Sequence, residues 1–387
     1  MKKNSLLEIY KKINPSIRSN YKKQTNVNLK ILQNKFNLDM SFFKNKKVLD
    51  LASGIGDNAI NYAKYGAQVT LIDFNDISIN YAKKIFKKND IKNSKFIVGD
   101  VFNQIKRINN KFDFVNCTGA LHHFDKTTKG ALKEIFKVIK KNGHLYLSVG
   151  VNTGGLQHKI MKALSRKWGH QENKIKKSST KLFKEYLDRS VKYGMRSKDQ
   201  VINDQFVNHI HNYISIEELA RFSKKNNFRI IHTEPKINYL SGDSVRKSLN
   251  TLDEFSNKNS FRQQYYWASK NKDDKTNFGL NNKIYRSFFK FIDLANKNSE
   301  KKNFFSNHKT LNALKKFNLY HKRFIKHEIS LIKEKEKFYR ELEKLMKLFS
   351  NANLDLNRAS KTLNKSKNLF RNTAGLTLNY FLLKKMK

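Results

Sequence analysis

The chain has 387 residues and a formal net charge of +47, and its hydrophobic fraction of 39% can support a core in each of two or three domains. A single cysteine, Cys117, excludes a disulfide within the chain and favours a reducing compartment. The sequence has no run of 18 apolar residues and predicts no membrane-spanning helix.

The positive charge is spread along the whole chain. Two explanations stay open. Abundant lysine and asparagine together with only two prolines are typical of a strongly AT-biased genome. A selected face that binds a polyanion would give the same excess of positive charge.

The first residues begin with Met1-Lys2-Lys3 and continue with a short apolar stretch that contains Glu8. That stretch is too short for a signal peptide. It predicts instead an amphipathic helix that could cover the ligand-binding end of the sheet described next.

A strand, a glycine turn and a helix are predicted in immediate succession. Lys47–Leu51 is apolar apart from Asp50, the loop that follows carries Gly54 and Gly56, and Ala59–Lys64 is compatible with a helix. Glycine permits the backbone angles of such a turn and lets the backbone approach a nucleotide-like ligand closely. Asp50 could contact that ligand or brace the turn.

Further strands alternate with predicted helices. Gln68–Ile72 ends in Asp73, about 20 residues past the glycines, where a doubly wound fold places the carboxylate that binds a ribose. The alternation predicts a parallel sheet with its ligand at the carboxyl ends of the strands. The remaining predicted elements are strand Lys95–Val98 before Gly99-Asp100, strand Phe112–Asn116 before Leu121-His122-His123, a helix over Thr127–Lys140, and strand His144–Val149.

This combination resembles the class I S-adenosylmethionine-dependent methyltransferases over about residues 50–240. The family usually has glycine at the position of Ala52, and we expect little harm because alanine is small. A nicotinamide dehydrogenase would share the glycine turn and the ribose acid, but the other motifs favour a methyltransferase. The resemblance is carried by Asp50-Leu-Ala-Ser-Gly54-Ile-Gly56, Asp73, Gly99-Asp100, Leu121-His122-His123 and the Lys140-Lys-Asn-Gly143 turn.

The resemblance implies a binding site for S-adenosylmethionine. The loop over residues 52–56 would face its methionine part, Asp73 would hold the ribose hydroxyls, and Asp100 would meet the adenine with Val101 beside the ring. The expected cofactor-binding residues are Asp50, Ala52, Ser53, Gly54, Gly56, Asp73, Phe74, Asp100, Val101 and Asn116.

Histidines are the catalytic candidates. His122 and His123 could touch the acceptor or remove its proton, or instead cap the next helix or pack against the loop. A metal site could be built on the His-x-His pair, His209 and His211, with His232 nearby in sequence. Beyond the two ligands of the pair, no further ligand has a spacing typical of a metal site, so we predict no metal. His209 or His211 could face the acceptor or pack within a polar loop.

The rest of the chain predicts an elaborated α/β fold, namely a Rossmann-like, seven-stranded methyltransferase sheet flanked by helices. Ser215 and Glu218 form a capping-box pattern, which predicts a helix before the sixth strand, Phe228–Thr233. The tail from Gly375 resembles the missing seventh strand, so a large helical insertion would separate strands six and seven. The predicted domains are an N-terminal helical segment (1–40), the methyltransferase domain (41–240, with an acceptor-side insertion at 151–214), the helical insertion (241–370) and the final strand (371–387).

We therefore predict a cytoplasmic S-adenosylmethionine-dependent methyltransferase that acts by in-line displacement on a small-molecule, glycan or lipid-linked acceptor. No Asn/Asp-Pro-Pro-Tyr-type motif follows strand four, which argues against methylation of a base amine. The alternatives are an RNA methyltransferase that uses the basic insertion and a non-catalytic scaffold that keeps the cofactor fold. Contact with a membrane surface through basic helices is a further option.

Overall fold

The computed structural model describes residues 8, 10, 28–194, 197–234, 304–325, 331–366 and 378–386, with shorter pieces between 287 and 301 and at 369–370. The chain divides into two compact units. The sheet unit comprises Met1–Val151, Asn208–Gly242 and Leu378–Lys387, and the helical unit comprises Asn152–Val207 and Asp243–Thr377.

The sheet unit contains the strands predicted from the sequence and one more of two residues. The described strands are β1 (Lys47–Leu51), β2 (Gln68–Asp73), β3 (Ser94–Val98), β4 (Phe112–Cys117), β5 (Ile139–Val151), β6 (Tyr213–Ile214), β7 (Phe228–Glu234) and β8 (Leu378–Lys385). Their order is β3-β2-β1-β4-β5-β8-β7, with β6 paired to the end of β5. Strand β8 is antiparallel to both β5 and β7, whereas the other pairs are parallel.

This topology confirms the predicted Rossmann-like sheet with its late antiparallel strand. The predicted sixth and seventh strands are β7 and β8, and the described residues between them are mainly helical. The chain runs outward from β1 through β2 to β3 and then returns to β4 on the other side of β1. Ligands of doubly wound sheets bind at this reversal, beside the carboxyl ends of the strands.

Strand β5 is longer than predicted. It begins at Ile139, so the turn expected over 140–143 lies within the strand. Phe112 pairs with Ile139 and Phe114 with His144, which leaves extra residues on β5 bulged out, and Asn142 adopts a φ of 60°. The turn prediction was wrong because a bulge and a turn both favour Asn-Gly at positive φ.

Helices connect the strands and build the helical unit. Asn75, Asp100 and Thr127 each cap a helix by accepting a hydrogen bond from its first turn, and the predicted capping box at Ser215 is confirmed. The described α-helices are α1 (Ala59–Lys64), α2 (Asp76–Lys88), α3 (Val101–Arg107), α4 (Thr128–Lys137), α5 (Asn152–Ser165), α6 (Glu172–Leu182), α7 (Lys184–Gly194), α8 (Lys198–Ile202), α9 (Ile216–Lys225), α10 (His308–Ile325), α11 (Leu331–Ser350) and α12 (Leu356–Lys365).

An aromatic core lies within the sheet unit. The ring of Phe43 lies 4.7 Å from that of Tyr62 and 5.0 Å from that of Phe114, and all three side chains are buried. Complete burial of one such side chain stabilises the fold by about 1.5–3 kcal/mol. This packing holds the segment before β1 against α1 and β4.

The helical unit has its own core. The rings of Phe317 and Tyr339 lie 4.6 Å apart, between α10 and α11. After α5, Lys167 donates to the carbonyl of Phe349 at 2.9 Å and Trp168 donates to that of Leu354 at 3.0 Å, which ties this connection to the end of α11. Among the described helices, none is long and apolar enough to cross a bilayer.

Candidate functional site

The loop between β1 and α1 has the close backbone turns that the glycines predicted. Gly54 has a φ of 55° and Gly56 a φ of 81°. A Cβ on Gly56 would lie 3.0–3.3 Å from side chains of β2 and α2, so glycine allows this close packing. By contrast, no described atom lies within 4 Å of a Cβ built on Gly54, which leaves space for a ligand above the loop.

Ala52 departs from the family pattern at a strained position. Its φ of 50° lies in the left-handed region, where an L-residue with a Cβ costs about 1–2 kcal/mol. Glycine would adopt this conformation without that cost. The expectation that alanine does little harm stays a prediction. The strain sets the expected cost in folding free energy at about 1–2 kcal/mol.

Asp73 is buried at the end of β2, where it joins the glycine loop to the next helix. Its Oδ2 accepts from the backbone N–H of Gly54 and its Oδ1 from that of Asn75, both at 2.8 Å. Burial raises the pKa of Asp73, while these backbone hydrogen bonds act in the opposite direction. Each carboxylate oxygen has a second lone pair, so Asp73 can still accept from a ligand hydroxyl.

Asp50 is buried at the end of β1 and only one of its oxygens is satisfied. Oδ1 accepts from Asn116 Nδ2 at 2.6 Å, whereas Oδ2 has no hydrogen-bond partner among the described residues. Burial raises the pKa of Asp50 to about 7, and the charges of Asp57 and Asp73 add to this, whereas the Asn116 bond and the nearby backbone N–H of Ala59 act in the opposite direction. The buried hydroxyl of Ser53 likewise lacks a described partner.

Asn116 belongs to a chain of amides and one hydroxyl that the sequence did not reveal. Thr118 Oγ1 lies 3.3 Å from Asn116 Nδ2 and 3.0 Å from Asn58 Nδ2, and Asn28 Nδ2 donates to Asn58 Oδ1 at 2.8 Å. This network links β4 to the start of α1 and to the segment before β1. Asn28 and Asn58 lacked a signal in the sequence because asparagine is common throughout the chain.

The remaining predicted cofactor residues lie along the same edge of the sheet. Asp73 pairs in register with Val98, which places the residues after β3 beside those after β2. Asp100 caps α3 by accepting from the Asn103 N–H at 3.0 Å, and Val101 is buried. The structure therefore brings the sequence-predicted cofactor set together.

A histidine cluster follows β4. The rings of His122 and His123 lie 3.8 Å apart, and that of His211 lies 4.6 Å from His123. Tyr10 lies 5.8 Å from His123 and 5.7 Å from Phe74, between centroids, so it contacts the cluster on one side and the end of β2 on the other. These four imidazole and phenol side chains therefore pack together beside the end of β4.

Two asparagines hold the cluster in place, and sequence analysis missed both. Asn208 is fully buried, and its Nδ2 lies 3.1 Å from His123 Nδ1. The carbonyl oxygen of Ile210 also lies 3.1 Å from His123 Nδ1. The tautomer of His123 decides which of these bonds forms. Asn212 donates from its backbone to the His122 carbonyl at 2.7 Å and from its side chain to the Phe124 carbonyl at 2.8 Å.

Other candidate groups lie elsewhere or are inert. His232 stacks on Phe36 at 5.4 Å and is not part of the cluster. Burial raises the pKa of the Cys117 thiol, which suits packing better than nucleophilic attack. Over the described part of the chain, no three His, Cys, Asp or Glu side chains are arranged to hold a metal ion.

Comparison with known proteins identifies this arrangement. Residues 42–194 match the model of a family described as a methyltransferase domain. Residues 42–194 thus carry a methyltransferase domain. The predicted methyltransferase family and enzyme class are confirmed for this domain.

Several proteins are similar to parts of the chain. It is 32% identical over 108 residues to a mitochondrial ubiquinone biosynthesis O-methyltransferase of Schizosaccharomyces pombe, covering 27% of this chain and 38% of that protein. It is 35% identical over 106 residues to the ubiquinone/menaquinone biosynthesis C-methyltransferase UbiE of Rickettsia typhi, covering 26% and 42%. The structure of PKMT2 from Rickettsia typhi aligns with a TM-score of 0.41 at 18% identity, over 58% of this chain and 44% of that one. The chain thus spans about two fifths of the length of these curated relatives.

The residues present fit the cofactor of this family. S-adenosylmethionine carries an ammonium group and ribose hydroxyls, which are hydrogen-bond donors. The buried Asp50 Oδ2 and Ser53 Oγ, which lack described partners, offer acceptors beside the open space at Gly54.

Proposed function

We propose that this chain transfers a methyl group from S-adenosylmethionine to a small-molecule, glycan or lipid-linked acceptor. The observation that carries the proposal is the cofactor end of the sheet unit, where buried carboxylates surround an open glycine loop inside a methyltransferase-family match. The named activities of the O- and C-methyltransferase relatives support a small organic acceptor.

The contacts of the two buried carboxylates support distinct roles in binding the cofactor. Asp73 accepts from the ribose hydroxyls, and the N–H groups of Gly54 and Asn75 hold its carboxylate for that purpose. Asp50, oriented by Asn116, faces the ammonium of the methionine part. When bound, the cofactor supplies a methyl group that its positive sulfur has already activated.

The residues after β3 hold the adenine in this proposal. Asp100 caps α3 through Oδ1, and the remaining lone pairs of its carboxylate would accept from the adenine amine, with the side chain of Val101 beside the ring. Phe74 would flank the ribose, next to Tyr10.

The histidine cluster forms the acceptor end. In-line displacement requires the acceptor atom to be aligned with the carbon–sulfur bond and shielded from water. When His123 donates its Nδ1–H to the Ile210 carbonyl, its Nε2 is the basic nitrogen and would accept a hydrogen bond from the acceptor, taking its proton if that atom is a hydroxyl oxygen. His122 packs against it and shares that role.

Label transfer tests the proposal. The full chain is incubated with methyl-labelled S-adenosylmethionine and an extract of its own source, which is then separated into RNA, protein, lipid and small polar fractions. Label in the lipid or small polar fraction, absent with Asp73→Ala, supports the proposal. Label in RNA, lost on nuclease treatment, would replace it with RNA methylation.

A further inference from the structure

Two neighbouring helices of the helical unit carry matching rows of exposed positive charge. On α6, Lys174, Lys177 and Lys181 are exposed at steps of three and four residues, which places them on one side of the helix. On α12, Arg358, Lys361 and Lys365 are exposed with the same spacing. We call these six residues the basic face.

Hydrogen bonds join the two helices at the Lys181 end of the α6 row. The hydroxyl of Ser360 donates to the carbonyl of Lys181 at 2.9 Å, and the ammonium of Lys181 bonds Asn357 Oδ1. Each row extends for about 10 Å along its helix, close to the screening length of about 8 Å in physiological salt, so neighbouring charges reinforce one another.

Acidic residues do not neutralise this face. Among the residues that the structure describes, none of the six side chains forms an ion pair, and the Glu172 carboxylate of α6 pairs with Lys176 instead. Helix α11 differs, because its lysines alternate with glutamates and Lys347 pairs with Glu343 at 2.9 Å. The positive charge is therefore not neutralised on α6 and α12 as it is on α11, although α10 also carries lysines without an acidic residue.

We propose that the basic face docks the protein on an anionic membrane surface. The residues of α6 and α12 include no aromatic side chain, so the face lacks the stacking platforms with which proteins hold single-stranded nucleic acid. It also lacks large apolar groups for insertion, so binding is electrostatic, peripheral and reversed by salt. The choice of a membrane over RNA rests on the proposed function, since a membrane would present a lipid-linked acceptor.

Vesicle sedimentation of the full chain tests this inference. Binding to phosphatidylcholine vesicles with about 30% phosphatidylglycerol is compared with binding to pure phosphatidylcholine at about 0.1 M and 0.5 M salt. A four-site variant replaces Lys174, Lys177, Lys361 and Lys365 with glutamine. A control with the same net charge replaces the exposed Lys83, Lys84, Lys87 and Lys88 of α2 with glutamine.

The expected result is salt-reversible binding to the anionic vesicles alone, weakened about tenfold or more in the basic-face variant and less than about twofold in the control. Equal losses in the two variants would show that net charge suffices and would overturn the proposal. So would absence of vesicle binding, or binding of a single-stranded RNA probe that only the basic-face variant loses. S-adenosylmethionine affinity, measured in parallel, separates failure of this face from failure of the proposed function.

Discussion

The two ends of the site in the sheet unit differ in how they are assembled. The cofactor end is built from short loops that directly follow β1, β2 and β3, and its main contacts join residues that the strand register already places together. The acceptor end gathers Tyr10, His123 and Asn208, whose mutual contacts span 85 to 198 residues of sequence. A local motif can therefore predict the first end, whereas tertiary structure alone creates the second.

The largest expected effect is a loss of cofactor affinity. Asp73→Ala should weaken S-adenosylmethionine binding at least about tenfold, because it removes a buried charged acceptor and frees the Gly54 N–H. Isothermal titration measures this. Asp90→Asn, an exposed acid near the end of α2, is the control and should leave affinity unchanged. Unchanged affinity in Asp73→Ala would refute the ribose assignment.

The second prediction separates the two ends. His123→Gln should lower turnover about tenfold or more and change cofactor affinity less than twofold, because His123 lies on the acceptor side. Release of S-adenosylhomocysteine with the labelled acceptor fraction measures turnover. The exposed His170→Gln is the matched control. Parallel losses of turnover and cofactor affinity in His123→Gln would show that the two ends are not separable.

The third prediction concerns pH at the cofactor end. Burial raises the pKa of Asp50 to about 7 in the folded protein, so its ionisation lowers the folding stability progressively as the pH rises from about 4 to about 7. A cationic ligand favours ionised Asp50, so cofactor affinity should rise by up to about tenfold from pH 6 to pH 8. Asp50→Asn should lose this dependence, as measured by titration at several pH values. A pH dependence that persists in Asp50→Asn would assign it to another group.

The smallest expected effect concerns Ala52. Ala52→Gly should relieve about 1–2 kcal/mol of left-handed strain and cost about 0.4–1 kcal/mol in unfolded-state entropy, for a net stabilisation of about 0.5 kcal/mol. Urea unfolding measures the change. A clear destabilisation would mean that the Ala52 side chain makes contacts that outweigh its strain.

Particular residues show where sequence-based inference succeeds and stops. Strand β1 and helix α1 have the predicted bounds, because an apolar run and a glycine turn are local properties of the chain. The start of β5 was missed because Asn142-Gly143 fits a bulge as well as a turn. Asn208 and Asn212 could not be found in advance, since their importance comes only from the histidine loop against which they fold. The site roles themselves stay predictions until they are measured.

Titration of the full chain with S-adenosylmethionine and, separately, with NAD⁺ tests the central claim most directly. A glycine turn followed by a ribose acid suits either cofactor, and the features after β3 and β4 favour the first. The account predicts one S-adenosylmethionine bound per chain, displaced by S-adenosylhomocysteine, and no binding of NAD⁺. Binding of NAD⁺ that Asp73→Ala abolishes, or no binding of S-adenosylmethionine, would contradict it.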